Sequence, residues 1–203
     1  MKIFCVGRNY IDHAKELGNA VPEEPVIFMK PKSALLQPHA PFYYPEFSNE
    51  LHYELELVVR IAKNGKYIPE KQALKYIDAI TVGIDFTARD VQAELKKKGL
   101  PWEKAKAWDN SAVIGNWYSL PQDLGKEELL FSMQKNKEVV QQGNSKDMIF
   151  SFAYIIAHVS QYFSLNIGDL IYTGTPAGVG EVVVGDVLEG FYGKEKAFEL
   201  EIK

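Results

Sequence analysis

One cysteine in 203 residues leaves Cys5 without an internal partner, which excludes an intramolecular disulfide and a cysteine-based metal cluster. Long apolar runs are also missing. No stretch approaches the roughly 18 apolar residues of a membrane-spanning helix, and Met1–Gly7 is too short an apolar run for a secretory signal. Positive charge is not in excess: 23 Lys and Arg against 27 Asp and Glu give a net charge of −4. That balance offers no electrostatic attraction to nucleic acid or an anionic membrane. The one basic run, Lys96-Lys97-Lys98, ends a predicted helix, where cations complement the macrodipole. With no internal repeat, low-complexity tract or linker, a single domain over 1–203 in a cytoplasmic setting is expected. The hydrophobic content of 46% is sufficient for a sizeable core.

What is present reads mainly as strands. Ile3–Val6 forms a first short strand closed by Gly7, and Asp12–Leu17 a short helix stopped at Gly18-Asn19. Six of the ten prolines fall between Pro22 and Pro45, which disfavours helix there and leaves short extended pieces such as Val26–Met29. Pro69 suits a helix start, with Ala73, Ile77 and Ile80 at helical spacing. Thr87 and Asp90 resemble a capping box for a helix Ala88–Lys98, stopped by Gly99, with Val91 and Leu95 inward. Asp147–Phe163 predicts the strongest helix, its apolar stripe being Ile149, Phe152, Ile156 and Val159. Short strands and glycine turns follow: Leu170–Thr173, Glu181–Val184, Val187–Phe191 and Ala197–Ile202. Few helices and variable connections predict an α+β fold on a curved or rolled β-structure.

Glu54 and Glu56 lie two residues apart in His52-Tyr53-Glu54-Leu55-Glu56-Leu57, so their side chains leave a strand on one face. Leu55, Leu57, Val59 and Ile61 fill the other. Glutamates on a strand usually face solvent. Asp85, in the apolar stretch Val82-Gly83-Ile84-Asp85-Phe86, shifts the balance toward a metal site. Adjacent carboxylates repel unless one is protonated or a cation lies between them. Three acidic oxygens without sulfur suit Mg²⁺ or Mn²⁺, with Ca²⁺ as a substitute. His52 shares this face, as a further ligand or, since carboxylates alone make a sufficient hard-ion site, as a hydrogen-bonding neighbour.

Further along, Gly7-Arg8-Asn9-Tyr10, Phe28-x-Lys30-Pro31, Glu54-x-Glu56, Asp85-x-Thr87-x-Arg89-Asp90-x-Gln92, Lys106 and Thr173-Gly174-Thr175-Pro176 occur in order. This ordered set resembles the fumarylacetoacetate hydrolase family over nearly the whole chain, and its short acylpyruvase/oxaloacetate decarboxylase branch in particular. The resemblance implies a mixed β-roll, sandwich-like fold with a few peripheral helices and no separate N-terminal domain. It also implies a homodimer, a Mg²⁺ or Mn²⁺ held by Glu54, Glu56 and Asp85, and a small 2-oxo acid substrate. Cleavage beyond C3 of such an acid leaves a pyruvate enolate, whose oxygen a cation stabilises.

His13 and Glu16, three apart on the short helix, can hydrogen-bond; as sequence alone they are an ordinary exposed turn. The resemblance makes them a catalytic pair on a lid, with Glu16 orienting His13 to activate water. Lys106 stands in Ala105-Lys106-Ala107-Trp108, where a snorkelling side chain is an equal possibility; by resemblance it is a catalytic cation. Arg89 and Gln92 resemble substrate contacts, as do the Thr175 loop and, more weakly, Lys30. Val113 stands where many members have proline, and the extra acidic ligand of longer members has no counterpart, which leaves a fourth position to water. The implied activity is acylpyruvate hydrolysis with oxaloacetate decarboxylation through the same enolate. The alternatives are a 2-hydroxyhepta-2,4-diene-1,7-dioate isomerase or oxaloacetate tautomerase and, from another class, a non-catalytic β-domain that binds metal. His39 and His158 receive no role.

Overall fold

The computed structural model describes residues 1–16, 20–38 and 40–203. The chain opens with β1 (Ile3–Gly7), α1 (Ile11–Glu16), β2 (Val26–Lys30), β3 (Leu51–Tyr53) and β4 (Leu55–Ile61). There follow α2 (Glu70–Ala73), β5 (Ile77–Asp85), β6 (Thr87–Ala88), α3 (Arg89–Lys98), α4 (Glu103–Lys106) and β7 (Ala112–Ile114). The rest comprises β8 (Leu130–Lys135), β9 (Glu138–Asn144), α5 (Phe152–Tyr162), β10 (Leu170–Tyr172), β11 (Gly180–Glu181), β12 (Val187–Tyr192) and β13 (Glu195–Glu201). The predicted stop at Gly18-Asn19 and His39 lie outside the described residues.

Three sheets organise these strands, in the orders β2-β1-β10-β4-β5-β7, β13-β12-β8-β9 and β11-β3-β6. Among the described residues the β1–β10 strand pair is parallel and the other strand pairs are antiparallel. The expected mixed β architecture with few helices is therefore present. The larger apolar core joins one face of the six-stranded sheet (Leu57, Val59, Val82, Ile171) to Phe131, Met133 and Leu188 of the four-stranded sheet and to α5. A smaller cluster, with Ile3, Cys5, Val58 and Tyr172, occupies the opposite face of the six-stranded sheet. Burial of each large aliphatic side chain stabilises the fold by about 1.5–3 kcal/mol. Sealed on both faces, β4 and β5 need near-continuous apolar sequence, and they have it.

Local predictions fail where a pattern admits two readings. Ile77 and Ile80 belong to β5, not to a helix: α2 ends at Ala73 and a 3-10 turn covers Leu74–Tyr76. Spacing of three fits a helix face, but the β-branched run Ile80-Thr81-Val82-Gly83-Ile84 packs better on a pleated sheet. No capping box opens α3. Ala88 is the N-cap, without a side-chain bond, and the Asp90 carboxylate instead accepts from Ser48 Oγ at 2.7 Å and Asn49 N at 2.9 Å. Val91 and Leu95 are half-buried; Gln92 is the buried residue of this helix. Gly99 stops α3 as expected, at φ 65°. The long helix starts later than predicted, because Ser151 caps it by accepting from Tyr154 N at 3.1 Å, an arrangement worth about 1 kcal/mol. Ile149 and Phe150 lie outside it and donate their amides to the main chain and side chain of Asn9, at 2.8 and 2.7 Å.

Candidate active site

Strand geometry brings the three acids together. In the β4–β5 ladder Leu55 pairs with Ile84 and Glu56 with Gly83. Asp85 N donates to Glu54 O at 2.9 Å across a break between β3 and β4. Directly opposed residues share a face, so Glu54, Glu56 and Asp85 emerge on the side of the smaller cluster while Leu55 and Leu57 enter the main core. Gly83 leaves that face clear: a Cβ there would stand 2.3 Å from Val113 O. One ligand atom from each acid lies within 4.8 Å of the others, and all three residues are buried.

Among the described residues three cations pair with two of the carboxylates, Glu54 and Asp85. Lys106 Nζ, carried by α4, stands 2.8 Å from both Glu54 Oε2 and Asp85 Oδ2. Arg89 Nη2 donates to Glu54 Oε1 at 2.5 Å, and Nη1 donates to Gln92 Oε1 at 2.8 Å. Lys30 Nζ is 2.8 Å from Asp85 Oδ1. Its protons are directed at Lys106 O, Ser111 O and Ser111 Oγ, the last two at 3.1 and 3.0 Å. Asp85 Oδ1 thus has an ion-pair neighbour but no hydrogen bond. Burial opposes ionisation of Glu54, but Lys106 and then Arg89 outweigh it and hold its carboxyl well below the usual range. Glu56 moves well above that range, through burial and then through Asp85 and Glu54, despite Gly174 N donating to it at 2.6 Å. Burial alone would lower the Lys106 ammonium, yet Asp85 and Glu54 raise it overall.

A cavity opens over this cluster, and His13, Arg89, Gln92, Lys106 and Thr175 line it with the acids. His13 is 4% exposed, and its Nδ1 lies 3.1 Å from Glu16 Oε2. Glu16 Oε1 accepts from Gly178 N at 3.1 Å, which ties α1 to the loop after β10. The Thr175 hydroxyl donates to Leu55 O at 2.8 Å and accepts from Gln141 Nε2 at 2.9 Å. Lys30 lies behind Asp85 rather than on the cavity wall. His52 is a neighbour and stands apart from the acidic group: its Nδ1 accepts from Arg89 Nε at 3.3 Å, and burial followed by Arg89 lowers its pKa. His158 packs in α5 between Tyr154 and Tyr162.

The acids fit a hard divalent cation. Their donor set is all oxygen. A buried Asp85 oxygen without a hydrogen bond and a Glu56 carboxyl that resists ionisation are both features that a cation would relieve.

Asn9, Gln141 and Ser111 support the site, although nothing in the sequence singles them out individually. Asn9 Nδ2 donates to Thr173 O at 2.7 Å and to Phe150 O at 3.1 Å. A Cβ on Gly174, whose φ is 98°, would approach Asn9 Cβ to 2.6 Å, so only glycine allows this contact. Gln141 Oε1 accepts from Leu55 N at 2.9 Å, on the edge of β4 where β10 has already ended, and Nε2 reaches Thr175 and Pro176. Substituting Gln141→Leu leaves the Leu55 amide buried and unpaired. A stability loss of about 1–3 kcal/mol is expected, to be read from urea denaturation with and without Mn²⁺.

Residues 2–200 match the family described as fumarylacetoacetate (FAA) hydrolase C-terminal. The mitochondrial oxaloacetate tautomerase FAHD1 of Mus musculus is 43% identical over 187 residues, 92% of this chain and 85% of that protein. Oxaloacetate tautomerase YcgM of Escherichia coli (strain K12) is 43% identical over 188 residues, 92% of this chain and 86% of the relative. The crystal structure of fumarylpyruvate hydrolase from Pseudomonas aeruginosa in complex with Mn²⁺ and pyruvate superposes with a TM-score of 0.92 at 36% identity, covering 100% of this chain and 89% of that one. The chain belongs to the fumarylacetoacetate hydrolase family.

Proposed function

We propose that this chain is a Mg²⁺- or Mn²⁺-dependent enzyme that promotes enolate chemistry on a small 2-oxo acid. The observation that carries this reading is the convergence of three buried carboxylates, within 4.8 Å, on the cavity that also holds His13 and Lys106. A cation held by Glu54, Glu56 and Asp85 would polarise the 2-oxo group and lower the energy of negative charge developing on its oxygen. Lys106 keeps a second positive charge at the same wall. Arg89 and Gln92 orient the substrate carboxylate, an arginine fork being suited to that group.

The names of the relatives favour tautomerisation of oxaloacetate as the first activity. The His13–Glu16 pair favours a second, hydrolysis of acylpyruvates. A proton on Nδ1 donated to Glu16 leaves Nε2 as the basic nitrogen, able to take a proton from water attacking the distal carbonyl. Tautomerisation needs proton transfer but no activated water. With Mg²⁺ present, His13→Ala is expected to slow acetylpyruvate hydrolysis by about 10²–10⁴-fold while sparing the keto–enol conversion of oxaloacetate, each followed by ultraviolet absorbance. If the wild type turns over neither compound with Mg²⁺ or Mn²⁺, the proposal is wrong.

A further inference from the structure

We propose that Arg8 and Lys96 form an anion subsite beside the carboxylate cluster that selects substrates bearing a second, distal carboxylate. Both residues line the cavity. Arg89, Gln92 and Lys96 occupy positions i, i+3 and i+7 of α3 and so share one helix face. This row begins at Arg89, which is bonded to Glu54. At 1.5 Å per residue it extends about 10 Å along the axis to Lys96. There the Lys96 ammonium stands 5.4 Å from the centroid of the Trp102 ring, another part of the cavity wall.

Arg8 reaches the cavity from the turn after β1 with φ 61°, a left-handed conformation uncommon for a residue with a Cβ. The neighbouring Asn9, tied to Phe150 and Thr173, holds the turn in place. Among the described residues neither Arg8 nor Lys96 pairs with a carboxylate, whereas Arg89 and Lys106 do. Glu54 and Asp85 at the base are already matched by Lys30, Lys106 and Arg89, so Arg8 and Lys96 add positive charge that faces the cavity. Lys96 as a whole is exposed; partial desolvation of its ammonium, then Arg89 and Arg8, push its pKa down.

Complementing the macrodipole of α3 does not account for Lys96. Lys97 and Lys98 occupy the same last turn, Lys98 pairs with Glu94, and of the three only Lys96 lines the cavity.

This inference rests on the reading of the site as one for 2-oxo acids, and the test separates the two. Calorimetric titration of the Mn²⁺-loaded protein would compare oxaloacetate with 2-oxobutyrate, which keeps the four-carbon skeleton but ends in a methyl group. Wild type is expected to bind oxaloacetate more tightly. Lys96→Met should weaken oxaloacetate about tenfold, the scale of one charge-assisted hydrogen bond. It should leave 2-oxobutyrate within about twofold, and Lys96→Arg should retain most of the affinity for oxaloacetate. Equal loss on both ligands, or no loss on either, overturns the subsite and leaves the site itself standing. If wild type binds neither ligand, the underlying reading fails and the subsite falls with it.

Discussion

Replacing Lys106 by methionine is expected to lower the melting temperature of the metal-free protein by roughly 6–20 °C. The ammonium lies 2.8 Å from Glu54 and from Asp85, both buried, and its removal leaves two carboxylates short of their shared counter-ion. Breaking a buried pair in this way costs about 3–5 kcal/mol. For a chain of 203 residues, each 1 kcal/mol moves the melting temperature by about 2–4 °C. Mn²⁺ should raise the melting temperature of this variant more than that of wild type, because a divalent cation supplies the missing charge. A variant as stable as wild type without metal, or one indifferent to Mn²⁺, would show that the ion pairs described here contribute little.

Glu56→Gln should behave in the opposite way, with a large loss of activity and little change in stability. Glu56 is the acid that its neighbours drive toward the protonated form, and a neutral amide of the same shape resembles that form. Stability of the metal-free variant should stay within about 1 kcal/mol of wild type. Turnover of oxaloacetate with Mg²⁺ should fall by about 10³-fold, the scale of losing electrostatic stabilisation at a developing oxyanion. Denaturation and steady-state kinetics on the same preparation check both halves. Strong destabilisation with activity retained would make Glu56 a structural residue.

The acidic cluster was legible in the sequence because a strand repeats every two residues. Glu54 and Glu56 had to share a face, and an aspartate ending an apolar run is costly to bury without a counter-charge. Their approach to Asp85 depends on the β4–β5 register, which no local pattern specifies. Ile77 and Ile80 misled because a spacing of three residues serves a helix, while the same isoleucines in a β-branched run serve a strand buried on both faces. Ile149 fell into the stripe of α5 by coincidence of spacing, and Ser151 was the better boundary signal. Gln141 was invisible: a glutamine within Val140-Gln141-Gln142-Gly143 looks like any surface residue until the fold places it against the unpaired amide of Leu55. The β8–β9 hairpin was equally obscure, since Asn136 and Lys137 take the positive φ values that such turns usually assign to Asn-Gly. Lys96 read as a helix-end charge, and only the cavity distinguishes it from Lys97 and Lys98.

Whether Glu54, Glu56 and Asp85 hold a divalent cation is decided by titrating the metal-free protein with Mn²⁺ and following the loss of the free-ion electron paramagnetic resonance signal. One Mn²⁺ bound per chain is expected for wild type, with weakening by at least about 100-fold in Glu56→Gln and in Asp85→Asn, the equivalent of about 2.7 kcal/mol. Undiminished stoichiometric binding in both variants, or no binding by the wild-type chain, would contradict a metal centre at these three acids.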